Sequence, residues 1–261
     1  VMIFTFTNPN RYLHLIKASL NRVKRSIGFG DANNDGISEI FIGYDNPDVE
    51  VLQFDGSEFE LVFSQSLGSV FSGVYNISPG NFDQDPELEF ACAYNSGILV
   101  YDYPNLNLLW SSQGIIPRTV NLHVADLNKD GVNEVLSWNS NNVYKLNGET
   151  GQLLNSYLQP NIQSLSIWSI DVVDFSDSSD LEVLVSYNNK PYILSSDLSS
   201  VIHQFEFADF QFTEFYLKDI NNNGRKDLFV LGSRGLYQFE YDFATRLMPQ
   251  FYNGIELTAY P

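Results

Sequence analysis

Three nine-residue stretches carry oxygen-bearing side chains at alternate positions. Asp126, Asn128, Asp130 and Glu134 occupy positions 1, 3, 5 and 9 of 126–134, with Gly131 at position 6. Asp31, Asn33, Asp35 and Glu39 repeat that layout around Gly36, and Asp219, Asn221, Asn223 and Asp227 repeat it around Gly224. Alternate residues of a tight loop turn their side chains toward one point, and a glycine permits the bend that closes the loop. The residue at position 7 (Ile37, Val132 or Arg225) adds a backbone carbonyl. An all-oxygen cage of this kind suits a hard cation, and calcium is the first choice. The competing account is an Asx-rich turn between strands that holds no metal. The loop at Asp219 has amides where the others have acids, so it is expected to bind most weakly of the three.

Two further stretches carry part of the pattern. One runs from Asn81 through Asp83, Asp85, Pro86 and Glu87 to Glu89, and the other from Asp174 through Ser176, Ser178 and Asp180 to Glu182. Pro86 and Ser179 stand where the others have glycine, so weaker binding or none is expected there. The five stretches begin at 31, 81, 126, 174 and 219, spaced by 45 to 50 residues. Self-similarity at that period signals a propeller or a solenoid.

The elements that hold these loops repeat with them. A strand such as Ser26–Gly30 enters the loop and Ile40–Gly43 leaves it. Val51–Phe54 follows, then a turn at Asp55-Gly56, then Phe59–Phe63. Four short strands per unit, separated by turn residues, give the layout of a propeller blade. Register agrees. Ile27, Ile77, Leu122, Ile170 and Phe215 stand four residues before the loops, and Phe29, Pro79, Val124, Val172 and Leu217 stand two before. A period of two puts both sets on one strand face, while Gly28, Ser78, His123, Asp171 and Tyr216 form a smaller or more polar one. The acid at position 9 is present in all five copies, which implies a structural task such as accepting N–H groups of its own loop. The expected fold is an all-β propeller of four-stranded blades. It has a partial blade (a hairpin) at 1–20, five blades over 21–250 and a linker at 251–261, and it forms part of a six- or seven-bladed ring.

Composition narrows the partners. The 261 residues carry 14 basic and 32 acidic side chains, a formal net charge of −18. That excess argues against nucleic acid, which needs a positive footprint, and against anionic membrane surfaces. No apolar run is long enough to span a bilayer. Cys92 is the only cysteine, so the chain has no internal disulfide, and its apolar neighbours mark it as a small core residue.

The segment Gly28-Phe29-Gly30-Asp31, continued by Asn33, Asp35-Gly36 and Glu39-Ile-Phe-Ile-Gly43, resembles the FG-GAP (VCBS-type) repeat of integrin alpha-subunit propellers and of secreted bacterial proteins. The similarity covers about 21–245. It implies a calcium-binding propeller that serves adhesion or ligand binding more than catalysis. The terminal Ile255–Pro261 resembles the start of the C-terminal sorting domain used in type IX secretion, which implies a secreted or cell-surface bacterial protein.

Other chemistry is thinly represented. His14, His123 and His203 lie in strand-like segments, with no nucleophile paired to them in the sequence. His123, on an inner strand near Asp171 of the next repeat, can line a central opening. Trp110, Trp138 and Trp168 could stack on sugars, but sheet packing is the preferred account. No catalytic residue is assigned. The expected function is a calcium-binding extracellular module that recognises protein or carbohydrate. The alternative is a calcium-dependent polysaccharide lyase or hydrolase on the same scaffold.

Overall fold

A computed structural model describes residues 24–67, 73–83, 85–105, 107–117, 119–158, 167–175, 179–187, 190–205, 212–218, 227–232 and 235–240. The hairpin expected at 1–20, the loop residues 219–226 and the tail at 251–261 lie outside them. Among the described residues the regular elements are strands in five sheets. The first sheet holds β1 (Lys24–Gly30), β2 (Glu39–Tyr44), β3 (Asp48–Phe54) and β4 (Phe59–Ser66). The second holds β5 (Asn76–Gly80), β6 (Glu89–Tyr94), β7 (Gly97–Tyr101) and β8 (Leu108–Ser111). The third holds β9 (Asn121–Ala125), β10 (Glu134–Trp138), β11 (Asn142–Leu146) and β12 (Leu153–Leu158). The fourth holds β13 (Ile167–Val173), β14 (Glu182–Tyr187), β15 (Lys190–Leu194) and β16 (Val201–Gln204). The fifth holds β17 (Phe212–Lys218), β18 (Asp227–Gly232) and β19 (Gly235–Glu240). Every sheet follows chain order, and each acidic stretch joins its first strand to its second. Among the described residues no helix is long and apolar enough to cross a membrane.

Burial changes across each sheet. The second strands β2, β6, β10 and β14 are buried along their whole length. The fourth strands β4, β8, β12 and β16 are largely exposed. A strand buried at consecutive residues is covered on both faces, so it reads as an unbroken apolar run rather than an alternation. Glu39-Ile-Phe-Ile, Glu89-Phe-Ala-Cys and Glu182-Val-Leu-Val are such runs.

The chain divides into two compact units, Val1–Ala125 with Gly131–Ser137 and Leu146–Leu153, and Asp126–Asp130 with Trp138–Lys145 and Leu154–Pro261. In the first, Phe41, Val49 and Val51 of the first sheet pack on Ile77, Phe90, Cys92, Leu99 and Tyr101 of the second. Phe41 meets Phe90 at 5.6 Å between ring centroids, and Phe90 stacks on Tyr101 at 5.7 Å. Full burial of each such side chain contributes about 1.5–3 kcal/mol. Cys92 belongs to this core, and burial pushes its thiol pKa well up. Trp110 is buried too and donates its indole N–H to the Gly148 carbonyl at 2.5 Å. With Trp138 also buried, these two tryptophans serve packing and not an open stacking surface.

In the second unit, Val183, Val185, Ile193 and Leu194 are buried. Tyr187 donates its hydroxyl to the Asn141 carbonyl, and Lys145 Nζ reaches the Ser196 carbonyl at 3.2 Å. His203 packs on Phe205 with centroids 4.5 Å apart and on Phe175 at 5.6 Å, so it belongs to an aromatic cluster.

The two faces of the first strands divide as their register requires. The large set of β5, Ile77 and Pro79, lies against the small set of β1: a Cβ on Gly30 would come within 2.8 Å of Pro79 Cγ and 3.1 Å of Leu88 Cδ1. Gly28 and Gly30 are therefore small because the next sheet sits on them. Leu122 and Ile170 are buried like Ile77, but Ile27 and Phe29 are 38% and 56% exposed. Strand β1 heads the described sheets, and its small face is the one turned to the second sheet.

Gly30→Ala should cost about 1–3 kcal/mol, the usual penalty for overpacking a tight interface. A denaturant melt would measure it, and an unchanged midpoint would mean that the sheets do not need this close approach.

Candidate cation-binding loops

The loops at 31–39 and 126–134 share one backbone course. Position 4 is left-handed in both, with φ 57° at Asn34 and 58° at Lys129, and so is the glycine at position 6, with φ 88° at Gly36 and 95° at Gly131. At position 6 an L-residue would be strained, which accounts for the glycine. Side chains hold the turn from within. Asp31 accepts the Asp35 N–H at 2.9 Å and the Gly36 N–H at 2.8 Å, and Asn33 Oδ1 also accepts from Asp35 at 3.0 Å. Asp126 and Asn128 accept the Asp130 N–H in the same way, at 3.0 and 3.1 Å. The amide of Asn33 donates to Asp35 at 3.1 Å, as that of Asn128 does to Asp130 at 2.9 Å. Gln53 of β3 adds a bond to Asp35 at 2.9 Å, which nothing in the loop motif foretells.

The acid at position 9 has the structural task expected of it. Glu39 Oε2 accepts the Ala32 N–H at 2.7 Å, Glu89 Oε2 the Phe82 N–H at 2.6 Å and Glu182 Oε2 the Phe175 N–H at 2.7 Å. These carboxylates, with that of Glu134, are almost fully buried. One oxygen is committed to the loop backbone. The other, Oε1, has no hydrogen-bond partner in Glu39 and Glu89. Burial raises the pKa of both, that of Glu89 to about 7, and the neighbouring Asp83 and Asp85 add repulsion to Glu89. Burying a carboxylate with one oxygen uncompensated is costly, and a proton or a bound cation offsets that cost. The residues present therefore fit a hard cation.

Two groups of three acids among the described residues bring ligand oxygens within 4.8 Å of one another. Asp83, Asp85 and Glu89 form one, in the stretch where proline replaces the glycine. Asp55, Glu58 and Glu60 form the other, on the exposed turn between β3 and β4. In that turn the Asp55 carboxylate accepts the N–H groups of Ser57 and Glu58, which accounts for its lowered pKa without a metal. Only the first group includes a buried carboxylate.

The sequence pattern favours the loops at 31 and 126 over that at 81, yet among the described residues it is the stretch at 81 whose acids gather within 4.8 Å. In the glycine-bearing loop at 31, Asp31 and Asp35 accept backbone and amide hydrogens of their own loop and of Gln53. Of the loop at 219 only Asp227 is described, as the first residue of β18; Asp219, Asn221, Asn223 and Arg225 lie outside the described residues. Asp171 accepts the Val172 N–H at 2.9 Å, and His123 is half-buried on β9.

No protein-family model matches the chain, and no curated protein shows significant sequence similarity to it.

One consequence is a pH dependence. The folded-state pKa of Glu89, about 7, lies above the ordinary 4.5, so the folded protein holds this proton more tightly than the unfolded chain does. Its contribution is fully present below the unfolded value and is lost as pH rises through the folded one. In chelator, the melting temperature should fall between about pH 5 and 7.5, and Glu89→Gln should flatten that fall. An equal slope in the variant would show that this carboxylate is not the group responsible.

Proposed function

We propose that this chain is a calcium-binding, non-catalytic recognition module of FG-GAP type, built as β-propeller blades and working outside the cytoplasm. The observation that carries it is the buried glutamate closing the loops at 31, 81 and 174, with one oxygen bonded to the loop backbone and, in Glu39 and Glu89, the other left bare among aspartates. Calcium takes six to eight oxygens from carboxylates, amides and backbone carbonyls. Asp31, Asn33, Asp35, Glu39 and the Ile37 carbonyl supply that chemistry in one loop, and Asp83, Asp85 and Glu89 supply it in the next. Four-stranded sheets in chain order, with exposed fourth strands and doubly covered second strands, support the blade reading. The third and fifth loops complete the proposed set through Asp126, Asn128, Asp130, Val132 and Glu134, and through Asp219, Asn221, Asn223, Arg225 and Asp227.

The role assigned to calcium is structural. The candidate ligands within one loop come from nine consecutive residues joining two strands of one sheet, so metal binding pins a turn. The ligand recognised is a protein or a carbohydrate, held by loops rather than by the metal.

Calorimetric titration of chelator-stripped protein should show calcium binding. With dissociation constants of about 10–100 μM and about 1 mM calcium, each site adds roughly 1.4–2.7 kcal/mol by mass action. Excess chelator should lower the melting temperature by several degrees. No bound calcium at millimolar concentration, or an unchanged melt, would reduce the loops to ordinary turns. Steady turnover of acidic or neutral polysaccharides would replace the recognition reading with the enzyme one.

A further inference from the structure

Successive loops are joined by backbone hydrogen bonds at matching places. The N–H at position 8 of one loop donates to a carbonyl at position 1 or 2 of the loop before it. Leu88 donates to Ala32 at 3.0 Å, Asn133 to Asn81 at 2.7 Å and Leu181 to Leu127 at 2.7 Å. One of these junctions is reinforced. Asn133 Oδ1 also accepts the Asn81 N–H at 2.7 Å, so Asn133 clasps the peptide groups on both sides of Asn81. Leu88 and Leu181 have no side-chain atom able to do this.

The reinforcement falls where the loop's own support is reduced. In the loop at 31, Asp31 accepts the N–H groups of positions 5 and 6. Pro86 at position 6 has no N–H, so the second of those bonds cannot form in the loop at 81. Asn81 instead donates its amide to the Asp85 carbonyl at 3.2 Å and accepts the Asp83 N–H at 3.3 Å, both long. From Asn81 the chain runs directly to Phe82, whose N–H fixes Glu89 Oε2 and so leaves Oε1 bare beside Asp83 and Asp85.

We propose that Asn133 is a positioning residue for a cation site at Asp83, Asp85 and Glu89, and that this site is braced from the following loop. The inference rests on the cation reading of these loops. Asn133 contributes no ligand to this site. It replaces, from the next repeat, the support that Pro86 removes, and it keeps the three carboxylates gathered. Partners that orient metal ligands in this way are typically worth 10–100-fold in metal affinity.

The test is calcium titration of the full chain, stripped with chelator, in four forms. Glu89→Gln should remove one calcium equivalent. Asn133→Leu, which keeps the backbone bond and copies the residue at the corresponding places, should retain the number of ions but weaken one of them about 10-fold. Asn133→Asp keeps the acceptor and should restore affinity to within about threefold of the original, by the same reasoning. In the Glu89→Gln background, Asn133→Leu should leave the remaining ions unchanged. If Glu89→Gln removes an ion but Asn133→Leu changes no affinity, the positioning role is overturned and the cation reading stands. Weakening that persists in the double variant would assign the effect to the loop at 126–134 and also overturn it. If Glu89→Gln removes no ion, the site itself is overturned.

Discussion

The bond from a position-2 N–H to a buried position-9 carboxylate is the constraint from which the repeat follows. The loop leaves the first strand and returns as the second, so its backbone donors are turned away from the ladder. A buried N–H without an acceptor costs about 1–3 kcal/mol. The glutamate supplies an acceptor from the first residue of the second strand, and Glu39, Glu89 and Glu182 all do so at 2.6–2.7 Å. The strand that begins with this charged group is also the one buried on both faces. Helping to close the loop and starting the most buried strand of the sheet are thus tasks of the same residue, which explains why the acid at position 9 outlasts the decay of positions 1, 3 and 5.

That solution leaves a charge in a dry place. A carboxylate satisfied at one oxygen and bare at the other is held with a raised pKa, and nearby aspartates add to the strain on Glu39 and Glu89. A proton or a cation relieves it. The proton suffices at acid pH, whereas near neutrality a bound divalent cation would offset it. The net charge of −18 points the same way, because a chain so acidic gathers anionic groups more readily with a counterion between them.

Much of this was legible in the sequence, for stated reasons. Period-two alternation marks strands, and Asp55-Gly56 and Asn147-Gly148 mark the turns between third and fourth strands. The role of Glu39 and its counterparts could be inferred from their recurrence. What escaped depends on neighbours distant in sequence. Gln53 reaches Asp35 from another strand, Asn133 reaches Asn81 across 52 positions, and Pro79 explains Gly30 only when the sheets are stacked. Pro86 bears on one demand of the motif and not on another. A motif judged by its glycine discounts the loop at 81, yet the glycine matters for a backbone φ and the cluster matters for carboxylate oxygens. These are separable demands, and the chain meets the second without the first.

Separability also bears on how such repeats diverge. A loop that loses its internal turn bonds must be supported from outside or lose its shape. The loop at 81 has given up a glycine and a donor, and the neighbouring repeat holds the same stretch of backbone at two points. The loop at 31 keeps its glycine and receives a single backbone bond from Leu88. The one turn bond that Pro86 rules out is thus matched by one extra bond from the neighbouring repeat. This is the behaviour of a repeat protein in which stability divides between the unit and its junctions. A repeat can then drift from its consensus without losing its place in the stack, provided the junction next to it tightens.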